Sequence, residues 1–302
     1  MRALLSNSLA AVCSLVVVSF VSWADCGGDA AQKDRPRKLL KWVFADIKHP
    51  LRALEKKAEE KAITGENYKK IIDGIKTNLH ANGVRVYIDP DIKDPANYSK
   101  LYRDVIAYAK EQELAIYANP FETSQLRMEK FGNDKVAFAN WIVAYANHFR
   151  PEFLGPFNES GWSAGDMVEI TVMVRKKLKY APKLVGPDVI HISKSNELLG
   201  KNSKLAGVFD VISSHNAAKD EEATAQAWQA LRRLAGKPTW ASENPRPVSI
   251  KNAAGKEIGI RAVLESKSVE GLVIYLAYPR CVNDDGSLTE KGREIERAIA
   301  EQ

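Results

Sequence analysis

Eight short apolar runs, each followed by a stretch with helical spacing, constrain the fold of this chain more than any other feature. The runs are LLKWVFADI (Leu39–Ile47), VRVYID (Val84–Asp89), LAIYANP (Leu114–Pro120), FLGPFNE (Phe153–Glu159), KLVGPD (Lys183–Asp188), VFDVISSHN (Val208–Asn216), PTWASE (Pro238–Glu243) and LVIYLAYP (Leu272–Pro279). They are continuously apolar rather than alternating, the pattern of parallel strands covered on both faces. Between them, Tyr98, Leu101, Tyr102, Val105, Ile106 and Ala109 repeat at helical spacing, as do Phe138, Ile142, Val143, Tyr145, Ala146 and Phe149. Gly83 reads as the stop of an earlier helix. Asp220, Glu221 and Glu222 read as a helix opening that Arg232, Arg233 and Gly236 close. GDMVEITVMVRKKL is expected to be helical, although its β-branched residues suit a strand equally. A last helix is expected from Thr289 onward. The alternation predicts an α/β chain with a single (β/α)8 TIM barrel over residues 39–302. An open doubly wound sheet fits less well, because no Gly-rich phosphate loop follows the first run.

The ends of the runs carry the chemistry. In a barrel of this type, strand ends face the catalytic rim. Here they are Asp89, Asn119, Asn158-Glu159, Asp188, His215-Asn216, Glu243-Asn244 and Tyr278. An ionised Glu at the end of a buried strand is costly without a partner or a role. Either Glu159 or Glu243 alone could be a cap or an ion-pair partner. Together, on the fourth and seventh strands, they suggest the two carboxylates that glycoside hydrolysis uses. No Ser nucleophile elbow and no HExxH occurs, and the five His show no metal-ligand spacing, so neither a metal nor another cofactor is expected.

These segments resemble the clan A retaining glycoside hydrolases, and family 30 most closely. FNES resembles the clan's Asn-Glu pair, which implies that Glu159 is the acid/base and that Asn158 bonds the sugar hydroxyl beside the anomeric carbon. WASE resembles the segment that ends in the nucleophile, here Glu243. VRVYIDP implies an active-site role for Arg85 beneath the nucleophile, and ISSHN implies that His215 lines the sugar site. DDGSLTEKGREIERAI resembles the family's closing turn and last helix. The resemblance covers most of the chain, with departures. Ser160 replaces the Pro after Asn-Glu, no β-sandwich side domain has room, and Tyr278 stands where a Trp commonly floors the sugar site. Burial and nearby negative charge are expected to keep Glu159 protonated while Glu243, beside Arg85, is ionised. Trp162, Trp240, Phe121 and Tyr278 are candidate sugar-stacking platforms or ordinary packing residues. Arg280, just past the eighth run, is a candidate contact for an anionic substrate or simply a surface residue flanking Cys281.

The first residues read as an export signal. Arg2, an apolar stretch from Leu9 to Val21, and Ser22-Trp23-Ala24 predict a signal peptide over 1–24, cut after Ala24. A polar arm over 25–38 follows. The run is short for a membrane span, and Asp25 makes Cys26 a poor lipidation site. The expected location is therefore secreted or periplasmic. Cys26 and Cys281 remain after cleavage, either as a disulfide or as separate thiols. Formal charge is +6, which falls to +5 when Arg2 is removed. With no basic helix, nucleic acid is not an expected partner; a polysaccharide or oligosaccharide, neutral or anionic, is. The expected function is a retaining hydrolase of a β-linked polysaccharide. A non-catalytic carbohydrate-binding barrel and a transglycosylase are the alternatives.

Overall fold

The computed structural model of the protein describes residues 40–47, 63–120, 124–217 and 220–302. Eight strands close into a barrel in chain order: β1 (Trp42–Asp46), β2 (Gly83–Ile88), β3 (Ala115–Pro120), β4 (Phe153–Leu154), β5 (Lys183–Val189), β6 (Val211–His215), β7 (Thr239–Asn244) and β8 (Gly271–Ile274). Every neighbouring pair is parallel, including β8 with β1. The helices are α1 (Tyr68–Thr77), α2 (Lys100–Glu111), α3 (Ser124–Phe131), α4 (Lys135–Phe149), α5 (Ala164–Lys177), α6 (Ile192–Lys201), α7 (Ser203–Val208), α8 (Ala225–Ala235), α9 (Ile260–Glu265), α10 (Ala277–Arg280) and α11 (Glu290–Ala300). The chain is thus a (β/α)8 barrel, as its alternation predicts. The expected signal and arm, with Cys26 and Phe121, lie outside the described residues. Among the described residues no helix is long and apolar enough to cross a membrane.

Local chemistry explains the helices. In α2 the Ser99 hydroxyl accepts from the Tyr102 N–H at 3.1 Å, and in α11 the Thr289 hydroxyl accepts from the Gly292 N–H at 3.1 Å. α5 resolves the ambiguity of its β-branched residues. Met167, Ile170, Thr171 and Val174 form one buried stripe at helical spacing, Ser163 caps the start, and Arg175, Lys176 and Lys177 sit at the negative end. The tertiary stripe and the cap outweigh a propensity difference of about a few tenths of a kcal/mol per residue. α8 starts later than its acidic run suggests. Thr224 is its cap, while the buried Asp220 accepts from the Ile192 N–H at 2.7 Å. Gly236 closes α8 with φ +61°, as expected.

Two apolar layers form the core, one between sheet and helices and one inside the barrel. The inner layer is bulky: Phe44, Tyr117, Phe153 and Trp240 meet ring to ring, with Trp240 centroids 4.8 Å from Phe153 and 5.1 Å from Phe44. Glycines opposite make the room. A Cβ on Gly83 would lie 2.2 Å from the Phe44 ring, and one on Gly271 would lie 2.5 Å from Trp240. Gly83 is therefore the first residue of β2 and not a helix stop; α1 already ends at Thr77. Trp240, 1% exposed, is a packing residue and not a sugar platform.

The register breaks near the C-terminal ends of three strand pairs. Pro187 pairs with Ser213 but Val189 with Ser214, so Asp188 is an extra residue in β5. Ser214 pairs with Ala241 but His215 with Glu243, so β7 carries an extra residue between them. The β7–β8 pairing shifts over the same stretch of β7. Such bulges re-aim side chains where a strand leaves the barrel, and these sit at Asp188 and beside Glu243.

Candidate active site

Arg85 organises the strand ends. It lies in the middle of β2, completely buried, with its register neighbours Asp46 on β1 and Tyr117 on β3. Its Nη1 donates to Glu243 Oε2 at 2.8 Å, its Nη2 to Asn158 Oδ1 at 2.8 Å, and its Nε to Asn119 Oδ1 at 3.0 Å. Asp46 Oδ2 is 3.6 Å from Nη1 and accepts from the Tyr87 hydroxyl at 3.2 Å. Burial opposes the charge on Arg85, but Tyr87, Glu243 and Asp46 outweigh it and push its pKa well above the usual value. A planar fork fixed on three acceptors is what arginine supplies and lysine does not. The guanidinium thus stays charged and holds one oxygen of Glu243 in place.

His215 joins the two carboxylates. Its Nδ1 is 2.9 Å from Glu159 Oε1, and its Nε2 is 3.9 Å from Glu243 Oε2. Burial disfavours the imidazolium, yet Glu243, Glu159 and Asp188 outweigh burial, and the His215 pKa is raised. The side chain is 1% exposed. His215 therefore touches carboxylates from beneath and does not form an open wall of a sugar site. Glu159 and Glu243 are 26% and 15% exposed, and with His215 they bring ligand atoms within 4.8 Å of one another. Glu159 is therefore less buried than expected from sequence: it is bonded to an imidazole and partly open.

Backbone strain helps hold this arrangement. Glu159 and Asp188 both sit in the left-handed region, at φ +54° and +52°. The Glu159 N–H donates to the Asp188 carbonyl at 3.1 Å, and the Asp188 carboxylate accepts from the Tyr117 hydroxyl at 2.5 Å. Non-Gly residues held this way cluster at functional sites.

The expected site residues divide on inspection. Arg85, Asn119, Asn158, Glu159, His215 and Glu243 converge at one end of the barrel. Asp46 and Tyr87 join them, although neither was marked from sequence. Asp89 instead accepts from the Asp91 N–H in a local turn, and Asn244 donates to the Ala241 and Val273 carbonyls. Asn216 donates to the Gly259 carbonyl at 3.4 Å. Trp162 is 6% exposed, its ring covered by the Arg127 guanidinium at 4.2 Å, so it lacks the open face a stacked sugar needs.

Tyr278 is a larger correction. β8 ends at Ile274, and Leu276 turns the chain away with φ +47°. Tyr278 is then buried with its hydroxyl donating to Asp284 Oδ1 at 2.6 Å, so it offers no open face to a sugar. Tyr275 occupies the position just past β8, its N–H 3.4 Å from the Asn244 carbonyl. Arg280 is exposed, with its guanidinium 5.6 Å from the Tyr275 ring centroid. Cys281 is fully buried, which pushes its thiol up to about 11.

Sequence spacing gave no metal site, but the fold brings Glu159, His215 and Glu243 together as possible ligands. The donor set suits a cation poorly. Arg85 already supplies positive charge 2.8 Å from Glu243 Oε2, and a second cation there would face it directly. The paired arrangement instead suits proton transfer and nucleophilic attack by carboxylates.

No protein-family model matches the chain, and no curated sequence matches it. Solved structures do match its fold. A β-mannanase from Thermomonospora fusca superimposes with TM-score 0.60 at 14% identity, over 87% of this chain and 91% of that one. A family 39 glycoside hydrolase from the gut symbiont Bacteroides cellulosilyticus gives 0.59 at 9% identity, over 86% and 64%. A β-mannanase from Streptomyces thermolilacinus gives 0.56 at 14% identity, over 78% and 86%. The likeness lies in the (β/α)8 fold. The chemistry is argued from the site.

Proposed function

We propose that this chain is an exported retaining glycoside hydrolase, family 30-like in its motifs, that cleaves a bond of a β-linked polysaccharide or oligosaccharide. The observation that carries this is the carboxylate pair: oxygen atoms of Glu159 and Glu243 lie within 4.8 Å, with His215 beside both. Retaining enzymes place their carboxyl groups about 5–5.5 Å apart, and inverting ones leave room for a water at roughly 6.5–9.5 Å. In the first step Glu243, held anionic by Arg85, bonds to the anomeric carbon while the bond to the leaving oxygen breaks. That oxygen takes a proton held in the Glu159–His215 hydrogen bond. In the second step Glu159 accepts a proton from water, whose oxygen bonds to the anomeric carbon and displaces Glu243. Asn158, whose oxygen accepts from Arg85 and Asn119, stands beside Glu159 where the family resemblance places a contact to a sugar hydroxyl.

A binding barrel would need aromatic faces and no carboxylate geometry. Here Trp162 and Trp240 are buried and the carboxylates are paired, which favours catalysis. A transglycosylase shares the first step and differs in its acceptor. Hydrolysis of a glycan panel by the whole protein, with Glu243→Gln as control, tests the reading. Reducing ends released by the native protein and not by the variant are expected; none released from any glycan would count against it.

A further inference from the structure

A cavity of about 320 Å³ opens beside Glu159. It lies within the size range of small-molecule sites, roughly 300–1,000 Å³. Glu159, Trp162, Met167, Val189, Ile190 and Leu198 line it, and Glu243 does not. The position of Glu159 identifies the occupant. An acid that protonates the leaving oxygen faces the glycosidic bond, so the group beyond that oxygen must lie in the space that this acid borders.

The walls then state what that group is. A departing sugar would bring several hydroxyls, each needing a partner once out of water. The cavity offers few. Lys194 is the one cationic side chain on its wall, and its Nζ is 2.8 Å from Glu197 Oε2. Asp188 is buried and accepts from Tyr117. The Trp162 ring is covered by Arg127, so it presents no open face for a pyranose. Ser160 and Gly161 also border it, and the remaining walls are Pro187, aliphatic side chains and a thioether, which reward apolar contact more than hydroxyl pairing.

We propose that the leaving-group side of this site takes an apolar aglycone, alkyl or aryl, so that the bond cut is the terminal one, which joins the last sugar of the saccharide to an apolar group. This rests on the retaining reading and names its substrate on one side. The saccharide itself would occupy the Glu243, Arg85 and Asn158 side.

The test is binding, which needs no knowledge of the sugar. Titrate the whole Glu243→Gln protein calorimetrically with octyl β-glucoside, 4-methylumbelliferone and cellobiose. Repeat with Ile190→Asp added, and with Val172→Asp as a control. Ile190 is 39% exposed and Val172, on α5, is 53% exposed, so neither change disturbs the core. The alkyl or the aryl probe should bind more tightly than cellobiose. Ile190→Asp should weaken that probe by about tenfold or more, since a carboxylate replaces apolar contact, and Val172→Asp should not. Whichever probe binds assigns the aglycone as alkyl or aryl. Tighter binding of cellobiose, no binding of either apolar probe, or equal effects of the two substitutions would overturn the proposal. If glycan hydrolysis is found while apolar binding is absent, only this inference fails. If apolar binding is found and the native protein hydrolyses neither the glycan panel nor octyl β-glucoside, the hydrolase reading fails.

Discussion

Removing the guanidinium of Arg85 is the most informative perturbation of the strand-end network. Arg85→Met keeps most of the stem and deletes the charge. Glu243 Oε2, Asn158 Oδ1 and Asn119 Oδ1 each lose a donor now at 2.8–3.0 Å. Breaking a buried ion pair from one side costs about 3–5 kcal/mol, because the other charge stays behind. Glu243 is 15% exposed, so water can reach it in part, and the low end, about 3 kcal/mol, is the expected loss. At about 2–4 °C per kcal/mol for a domain of this size, the Tm should fall by roughly 6–12 °C while the protein still folds. Urea and thermal unfolding followed by circular dichroism read this directly. The decisive arm is a double-mutant cycle with Glu243→Gln. Neutralising Glu243 removes the stranded charge, so the double variant should recover at least about 1 kcal/mol relative to the sum of the single losses. Additive losses, within about 0.5 kcal/mol, would mean that Arg85 does not hold Glu243 as an anion, and the proposed nucleophile would lose its physical basis.

Other outcomes follow from the same geometry. Glu243→Gln should abolish turnover while the protein still folds, and Glu159→Gln should keep partial activity on substrates whose leaving groups need no proton; equal loss on every substrate would contradict the assigned roles. The raised His215 pKa gives a signed pH dependence. Its stabilising effect should be complete below the unfolded value of about 6.5 and be lost as pH rises through the higher folded value. The stability gap between native protein and His215→Gln should therefore be widest in acid and shrink toward alkaline pH; a gap that widened with pH would reverse the sign of the interaction. If the saccharide is anionic and Arg280 contacts it, Arg280→Ala should cost about 1.5–3 kcal/mol on the charged glycan alone, and equal losses on the neutral counterpart would retire that role.

The barrel was legible because parallel strands buried on both faces leave a one-dimensional trace of apolar runs. The carboxylates were legible as a pair: a single Glu at a strand end is an ordinary cap or ion-pair partner, but two, ending the fourth and seventh runs, suggest one site. What escaped depends on direction. The apolar run of the eighth strand continues past Ile274, so the turn at Leu276 is invisible in composition, and the run's end points to Tyr278 where the strand's end leaves Tyr275. Aromatic residues do not announce which way they point: Trp240 fills the barrel and Trp162 lies under Arg127. Asp46 had a readable signal, an acid ending the apolar run of the first strand, but its partners Arg85 and Tyr87 appear only once β1 and β2 are paired. The extra residues in β5 and β7 cannot be counted without the neighbouring strand. His215 between two carboxylates is likewise a product of closure, since its partners stand 56 and 28 positions away along the chain.

The central claim is double displacement by Glu243 with Glu159 as acid/base, and the stereochemistry of the first product tests it most directly. Proton NMR, recorded within the first minutes on a substrate found in the glycan panel, reads the anomeric signal before mutarotation. A β-linked substrate should give the β-anomer first, with the α-anomer growing in slowly afterwards. Initial release of the α-anomer would show a single displacement, and the paired-carboxylate account of this site would be wrong.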